Sequence, residues 1–407
     1  MFLHYQFIKN FGGIYTMKVE QAYTLLNTIT NEILGTTDIV AEDLSNVVDI
    51  GQQIMGSGEN WVDNYVGKLM NQIGRMIFST RKYDVSIPSV IMDAWEFGSI
   101  LEKAHATMPE AKENESWKLV DQEDYSAGNF TFYKPTVTVK LFNNSVTFEV
   151  DNSIADKQVK ESFNSPTQLV GFFTMIETSV ENSISVKVDA LIMRTINNFI
   201  GQTLHSEFPD GEYEGVTSVK AINLLKLYND KFTAELTFEQ AITTPEFLRF
   251  ASMTMSNYVD RLSKMSKLFN IEKLERFTPK DRLHFVMLSD FKNAFGSYLE
   301  SDTFHNEFVS LPESETVPYW QGTGTDYSLN KISDIHVNIK DGDATAEIVA
   351  SGIVGVMFDH DALGVCNTER NTTTQWVAKQ EFTNYFHKHK ASYFNDLSEN
   401  FIVFYCA

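Results

Sequence analysis

The stretch from Ser165 to His205 constrains this chain more than any other: SPTQLVGFFTMIETSV runs directly into ENSISVKVDALIMRTINNFIGQTLH. Ser165 is placed to accept from the first free backbone N–H groups, and Pro166 suits a first helical position, where no N–H is needed. Leu169, Phe172, Phe173, Ile176 and Val180 fall on one helical face. Val188, Leu191, Ile192, Thr195 and Phe199 fall on another, rotated by about 100°. That rotation, with the Ser183-Ile184-Ser185-Val186 alternation, predicts a bend or short break and then a second helix. Laid end to end the piece spans roughly 60 Å, more than an ordinary compact domain is wide. Such a helix serves a wide, thin molecule. The alternative is two ordinary core helices joined by a loop.

Composition narrows the functions open to the chain. It has 407 residues, 43% hydrophobic and 13% aromatic, enough for a large core and for two or three domains. The formal charge of −21 is spread along the sequence, which argues against gripping nucleic acid or anionic membranes. It is compatible with lying beside packaged DNA without holding it. Only Cys366 and Cys406 are present, with no metal-type spacing, so the chain is not stapled by disulfides and suits a reducing compartment. No apolar run reaches the roughly 18 residues of a membrane helix. The first residues, MFLHYQFIKNFGGIYT, lack the order of a signal peptide. Met17 opens a clean helical pattern, so residues 1–16 read as an extension or an upstream start.

Residues 17–34 read as a helix with Ala22, Leu25, Leu26 and Ile29 on one side and Gly35 as its stop. A short segment around Val47, Ile50 and Ile54 follows. From Asn60 a third places Trp61, Tyr65, Val66, Leu69, Ile73 and Ile77 at helical spacing. Three short helices with glycine breaks make an arm, with a small helical subdomain as the alternative. From Val85 the pattern changes: Ser86–Ile91 is extended, and Gly128–Val150 alternates as strand. Between them His105–Asp124 is dense in charge and poor in core residues. Two strands with a polar tip predict a long projecting hairpin, which cannot bury both faces alone and needs a neighbouring subunit.

Phe208-Pro209-Asp210-Gly211 is a turn and a domain boundary. Beyond it, Thr217 or Ser218 is expected to cap a helix through Leu224, Leu225 and Tyr228. Thr244-Pro245 starts a longer helix through Met265 and Phe269, Leu283–Leu288 is a buried strand, and Ser289-Asp290 caps another helix. This is an α/β module. The remainder is strand and turn: a hairpin of 335–339 and 344–349 about Asp341-Gly342, buried Ile353–Phe358, then 374–377, 382–390 and a closing Phe401–Tyr405.

Catalytic motifs are missing. Gly322-Thr323-Gly324 lacks the Lys and helix of a phosphate loop, and there is no G-x-S-x-G elbow or HExxH motif. The best metal candidate is His387 and His389 with Asp359, His360 and Asp361. Solvated residues at strand ends are the favoured reading of that group. No catalytic, cofactor-binding or metal-ligating residue is assigned, and no cofactor is implied.

The order of arm, hairpin, long helix, α/β module and closing strands resembles the major capsid proteins of tailed bacteriophages, the Johnson fold. The arm pattern Val47-x-x-Ile50-Gly51-x-x-Ile54, with Asn60, Val66, Leu69 and Ile73-Gly74-Arg75-x-Ile77 after it, is similar to the arm of the small protein-primed podophages. So is the end of the chain to the general family pattern: a strand (Gly352–Phe358), an Asp turn (Asp359, Asp361), an aromatic-rich strand (Phe382–His389), an Asp loop at Asp396 and a last apolar strand from Phe401. The resemblance implies an α+β fold with 1–80 as N-terminal arm, 81–155 as extended E-loop and 156–215 as peripheral domain with the spine helix. It further implies 216–330 as axial domain and 331–407 as strands returning to the peripheral domain. It implies a virion shell protein, made in the host cytoplasm, assembling with itself as pentamers and hexamers. Scaffolding, portal and decoration proteins are the further partners it implies, with DNA enclosed but not bound by sequence and with no membrane contact. An encapsulin-type nanocompartment shell, a phage tail or sheath protein, and an oligomeric enzyme built on 216–330 are the alternatives. Neighbouring genes separate the first: terminase and portal for a phage, a cargo enzyme for an encapsulin.

Overall fold

The computed structural model describes residues 19–35, 40–56, 65, 68, 87–92, 101–106, 108–109, 111, 134, 136–163, 166–299, 314–320, 333–341 and 344–407. The chain divides into two compact units. One comprises Met1–Val85, Val146–Asp189 and Asn367–Ala391; the other comprises Ser86–Ser145, Ala190–Cys366 and Ser392–Ala407.

In the first unit, helix Val19–Leu34 buries Ala22, Leu25, Leu26 and Ile29, as its spacing predicts. Gly35 ends it at φ 65°, a left-handed position that glycine occupies without a Cβ penalty. Helix Val47–Met55 buries Val47, Ile50, Gly51 and Ile54. A Cβ on Gly51 would collide with the Phe163 ring, so the glycine in the arm pattern is there for close approach. Phe163 follows helix Asp156–Ser162 and packs on Tyr65, ring centroids 5.3 Å apart. Burial raises the Tyr65 hydroxyl above its ordinary pKa. Of the expected third helix, only Tyr65 and Lys68 fall within the described residues, and both are helical. Strand β4 (Ser145–Ala155) closes a four-stranded sheet, in the order β1 (Ile91–Met92), β11 (Leu363–Val377), β12 (Phe382–Asn395), β4. Both β11 and β12 run further than their sequence signals, β11 from Leu363 and β12 as far as Asn395.

The long helix is continuous from Pro166 to Glu207, without the expected break. Its buried positions step as Leu169, Phe172, Ile176, Val180, Ile184 and Val188, mostly four residues apart. Each four-residue step advances about 40° around a 3.6-residue helix, so three steps give the rotation that looked like two faces. The stripe winds; the backbone does not break. Ser183 Oγ donates to the Ser179 carbonyl at 2.9 Å, so the local hydroxyl is absorbed within the helix.

The second unit is built on a five-stranded sheet in the order β5 (Ala221–Asn223), β13 (Phe401–Tyr405), β10 (Ile353–Asp359), β6 (Leu283–Leu288), β7 (Glu315–Val317). Every residue of β10 and β13 is buried. A strand covered on both faces reads as a continuous apolar run, which is how both look in the sequence. β10 pairs antiparallel with β6 and β13, and β13 runs parallel to β5, so they are the centre of the α/β sheet. The cap expected at Thr217 or Ser218 is replaced. Residues 221–223 are strand, and Asn223 caps helix Leu224–Phe232 by accepting from the Lys226 N–H at 3.0 Å. Thr217 and Ser218 accept instead from Asn223 and Ala221, shaping the turn into the strand.

Helix Pro245–Leu262 buries Phe247, Leu248, Ala251, Met255, Tyr258 and Leu262. It stops before Met265, which is exposed. Helix Ser289–Leu299 follows β6 as expected. Phe199 of the long helix stacks on Phe401 at 4.0 Å and 13°, and Phe401 stacks in turn on Phe358 at 5.7 Å. Strands β8 (Ile335–Asp341) and β9 (Ala344–Ala350) form the predicted hairpin. Its Val337 sits against Gly201, where any Cβ would collide with it.

Candidate assembly surface

Strands β2 (Leu101–Ala106) and β3 (Val137–Phe142) pair antiparallel from Leu101↔Phe142 to Ala106↔Val137. The two strands of the expected hairpin therefore pair, but they begin later than Ser86–Ile91. Pro88–Val90 is a 3-10 turn, as proline at its first position favours, and Ile91–Met92 pairs in parallel with β11 at Val365 and Cys366. The polar tip after Ala106 lies largely outside the described residues.

Alternation sends successive side chains to opposite faces. One face carries Val137, Val139 and Leu141, exposed by 55%, 48% and 64%, opposite Ala106, Ala104 and Glu102. The other face carries Lys103, His105, Thr138 and Lys140, with Leu101 and Phe142 at its end, where Phe142 packs on Phe394 at 5.3 Å. The usual arrangement is inverted. A sheet covering a body normally turns its apolar face inward, whereas this one turns charge inward and keeps its aliphatic row in water.

The inward face rests on Asp396, whose side chain is 2% exposed. Lys103 Nζ lies 3.3 Å from Asp396 Oδ2, and Lys140 Nζ lies 3.0 Å from Oδ1. Ser398 donates to the same Oδ1 through its N–H at 3.1 Å and its hydroxyl at 2.7 Å. Lys103 also donates to the Asp361 carbonyl and stands over the Phe394 ring at 4.7 Å. Lys140 also pairs with Glu272. One turn along, Arg276 donates to His105 Nδ1 at 2.6 Å, pairs with Glu399 at 3.3 Å and donates to the Ser398 carbonyl at 3.2 Å.

The protonation states follow from this packing. Burial alone would raise Asp396, but the Ser398 hydroxyl, Lys103 and Lys140 outweigh it and hold the carboxyl below its ordinary range. Desolvation and the Arg276 and Lys140 charges lower His105 against the pull of Asp396, which keeps its ring able to accept from Arg276. Burial raises Glu399, offset in part by Arg276.

The sequence reading names the hairpin, the turn at Asp361 and the loop at Asp396, but nothing in it brings them together. Their signal is visible in retrospect: Lys103, His105, Thr138 and Lys140 share one face of an otherwise apolar pattern. Arg276 and Asp396 come from distant turns, which no local pattern connects.

The proposed metal group is not drawn together as a cluster. His387 and His389 do share a face of β12, yet they are buried, not solvated at a strand end. His387 Nδ1 is 3.0 Å from Thr372 Oγ1, and His389 Nε2 is 2.8 Å from Asn367 Oδ1. Burial, helped by Arg370, pushes His387 down to about 4. His360 Nδ1 instead meets His284 Nε2 at 2.9 Å, while Asp361 pairs with Arg282 at 2.6 Å. Among the described residues no group of three or more His, Cys, Asp or Glu is placed to hold a metal, and both cysteines are buried and form no disulfide. No described helix is long and apolar enough to cross a membrane.

The chain belongs to the family of Phi29-like phage major capsid proteins, whose profile matches residues 26–405. It is a phage major capsid protein with the mixed α/β fold of tailed-phage capsids, and its place is the virion. Similar solved structures include the capsid of Staphylococcus phage Andhra, at 9% identity over 78% of this chain and 83% of that chain, TM-score 0.48. The capsid of cyanophage P-SCSP1u is 9% identical over 81% of this chain and 90% of that one, TM-score 0.42. Microbacterium phage Oxtober96 gives 9% identity over 82% and 98%, TM-score 0.42. No curated protein matches the chain.

Proposed function

We propose that this subunit assembles as pentamers and hexamers into an icosahedral head enclosing double-stranded DNA, and that the β2–β3 hairpin is its principal intersubunit contact. The observation that carries this reading is the exposed row Val137, Val139 and Leu141. Three aliphatic side chains at alternate positions of a two-stranded ribbon cost free energy in water, and a neighbouring copy removes that cost. Residues 1–80 would serve as an arm, 81–155 as the E-loop, 156–215 with the long helix as the peripheral spine, and 216–330 as the axial domain. The role is structural and requires no catalytic group or cofactor. Synthesis in the host cytoplasm and engagement of scaffolding, portal and decoration proteins complete the proposal. The net charge of −21 suits an inner wall along which DNA packs without adhering.

The test is the double variant Val139→Asp/Leu141→Asp. Both positions are solvent-facing, so the subunit should fold with unchanged circular dichroism and melting temperature. Negative-stain microscopy should show no shells where the wild type forms them. Normal shells from the double variant would refute the hairpin's role, and a wild-type chain that stays monomeric with its partners present would refute assembly itself.

A further inference from the structure

The inverted hairpin poses a question that assembly alone does not answer: what fixes its orientation before a neighbour arrives? Apolar burial is confined to one end of the face turned toward the body, where Phe142, opposite Leu101, packs on Phe394 at 5.3 Å; the rest of that face is Lys103, His105, Thr138 and Lys140. What remains is a set of charges converging from separate segments. Lys103 and His105 come from β2 and Lys140 from β3. Glu272 and Arg276 come from the loop after helix Pro245–Leu262. Asp361, tied to Arg282, comes from the turn after β10, and Asp396 and Glu399 from the turn after β12.

Among these, Asp396 is the only group that meets both strands. Its two oxygens are divided between them, Oδ2 to Lys103 and Oδ1 to Lys140. Ser398 fixes the carboxylate from behind, so it cannot swing to follow one lysine at the other's expense. Lys103 is held a second time by the Asp361 carbonyl and by the Phe394 face, which restricts its stem.

We propose that Asp396 is an ionic latch that positions the hairpin on the unassembled subunit, so that the row Val137, Val139, Leu141 is presented in one orientation. The inference rests on the hairpin being an assembly element, and it adds a positioning residue to that reading. Such a latch is stiff because it is buried, yet separable because both partners carry full charge. Burying the same hairpin with aliphatic residues would fix it with no such release. Opening it exposes two lysines and one carboxylate to water, groups that water solvates well.

Hydrogen exchange on the full-length, unassembled chain tests this directly. In Asp396→Asn, amides of 101–106 and 137–142 should lose protection by about a hundredfold, as removal of one partner from a buried ion pair implies, while those of β6, β10 and β13 keep theirs. If that variant loses protection everywhere, Lys103→Gln/Lys140→Gln decides the matter, because it leaves Asp396 satisfied by Ser398. Selective loss in the hairpin supports the latch. Unchanged hairpin protection in either folded variant overturns it, and leaves the assembly role untouched because exchange is read before any shell forms. Conversely, a selective loss of protection together with normal shells would keep the latch and remove its role in assembly.

Discussion

The five-stranded sheet and the β2–β3 hairpin are built from similar residues by opposite rules. In the sheet, β10 and β13 are buried along their whole length, and Phe199, Phe401 and Phe358 form a stacked column across strand and helix. Nothing further is needed to complete it. In the hairpin the aliphatic row faces water, and the face toward the body is charged apart from the Leu101–Phe142 end. The first region is finished within one chain; in the proposed assembly the second is finished by a neighbouring copy. Where a protein puts charge inside and aliphatics outside, it has reserved that surface for a partner.

That contrast can be broken at its strongest point first. Phe199→Ala removes one ring from the stacked column and leaves a cavity, so it should cost about 3–5 kcal/mol and lower both soluble yield and melting temperature. Wild-type stability in that variant would mean that the second half of the long helix is not part of the finished core. Leu141→Ala should do the reverse. Monomer stability should change by less than about 0.5 kcal/mol, since the side chain is exposed, while assembly should slow or require higher subunit concentration, read by light scattering.

His105 sharpens the comparison through pH. Its folded pKa lies below the ordinary histidine value, so the docked hairpin prefers the neutral ring. Docking is therefore fully supported above about pH 6.5 and weakens as pH falls below it, because the undocked ring binds a proton more readily. Exchange protection of 101–106, corrected for intrinsic rates, should drop on acidification, and His105→Gln should flatten that dependence. Asp396 runs with the same sign at lower pH: its depressed pKa keeps the latch charged through the ordinary carboxylate range. The smallest effect is expected at Arg194, an exposed guanidinium 5.3 Å from the Tyr393 ring. Arg194→Ala should cost at most about 1 kcal/mol by thermal melting.

Legibility followed the same division. Segments whose burial is decided by near neighbours were read well: Val19–Leu34, Pro245–Leu262 as far as Leu262, the β8–β9 hairpin and the closing strand Phe401–Tyr405 all stand where periodicity puts them. Ala221–Asn223 was missed because three residues are too few for a pattern and only pairing with β13 makes them strand. The long helix was misread as broken because a winding stripe and a break give the same local signature. The latch could not be read at all. Asp396 and the hairpin lysines lie far apart in the chain, and a lone aspartate in a turn looks like any other.

Gly201 carries a consequence for a molecule built in many copies. The β8–β9 ribbon meets the long helix where Val337 enters the space that a side chain at 201 would fill. Sliding the ribbon by one residue would offer His336 or Asn338 to that socket instead, and both are exposed in the correct register. The missing methyl thus leaves room for Val337 in this alignment, and a slipped alignment would bring a polar side chain to the same apolar socket. In a lone enzyme a small misfolded fraction lowers activity in proportion. In a closed lattice one subunit folded out of register spoils every contact around it, so a check of this kind serves the whole particle.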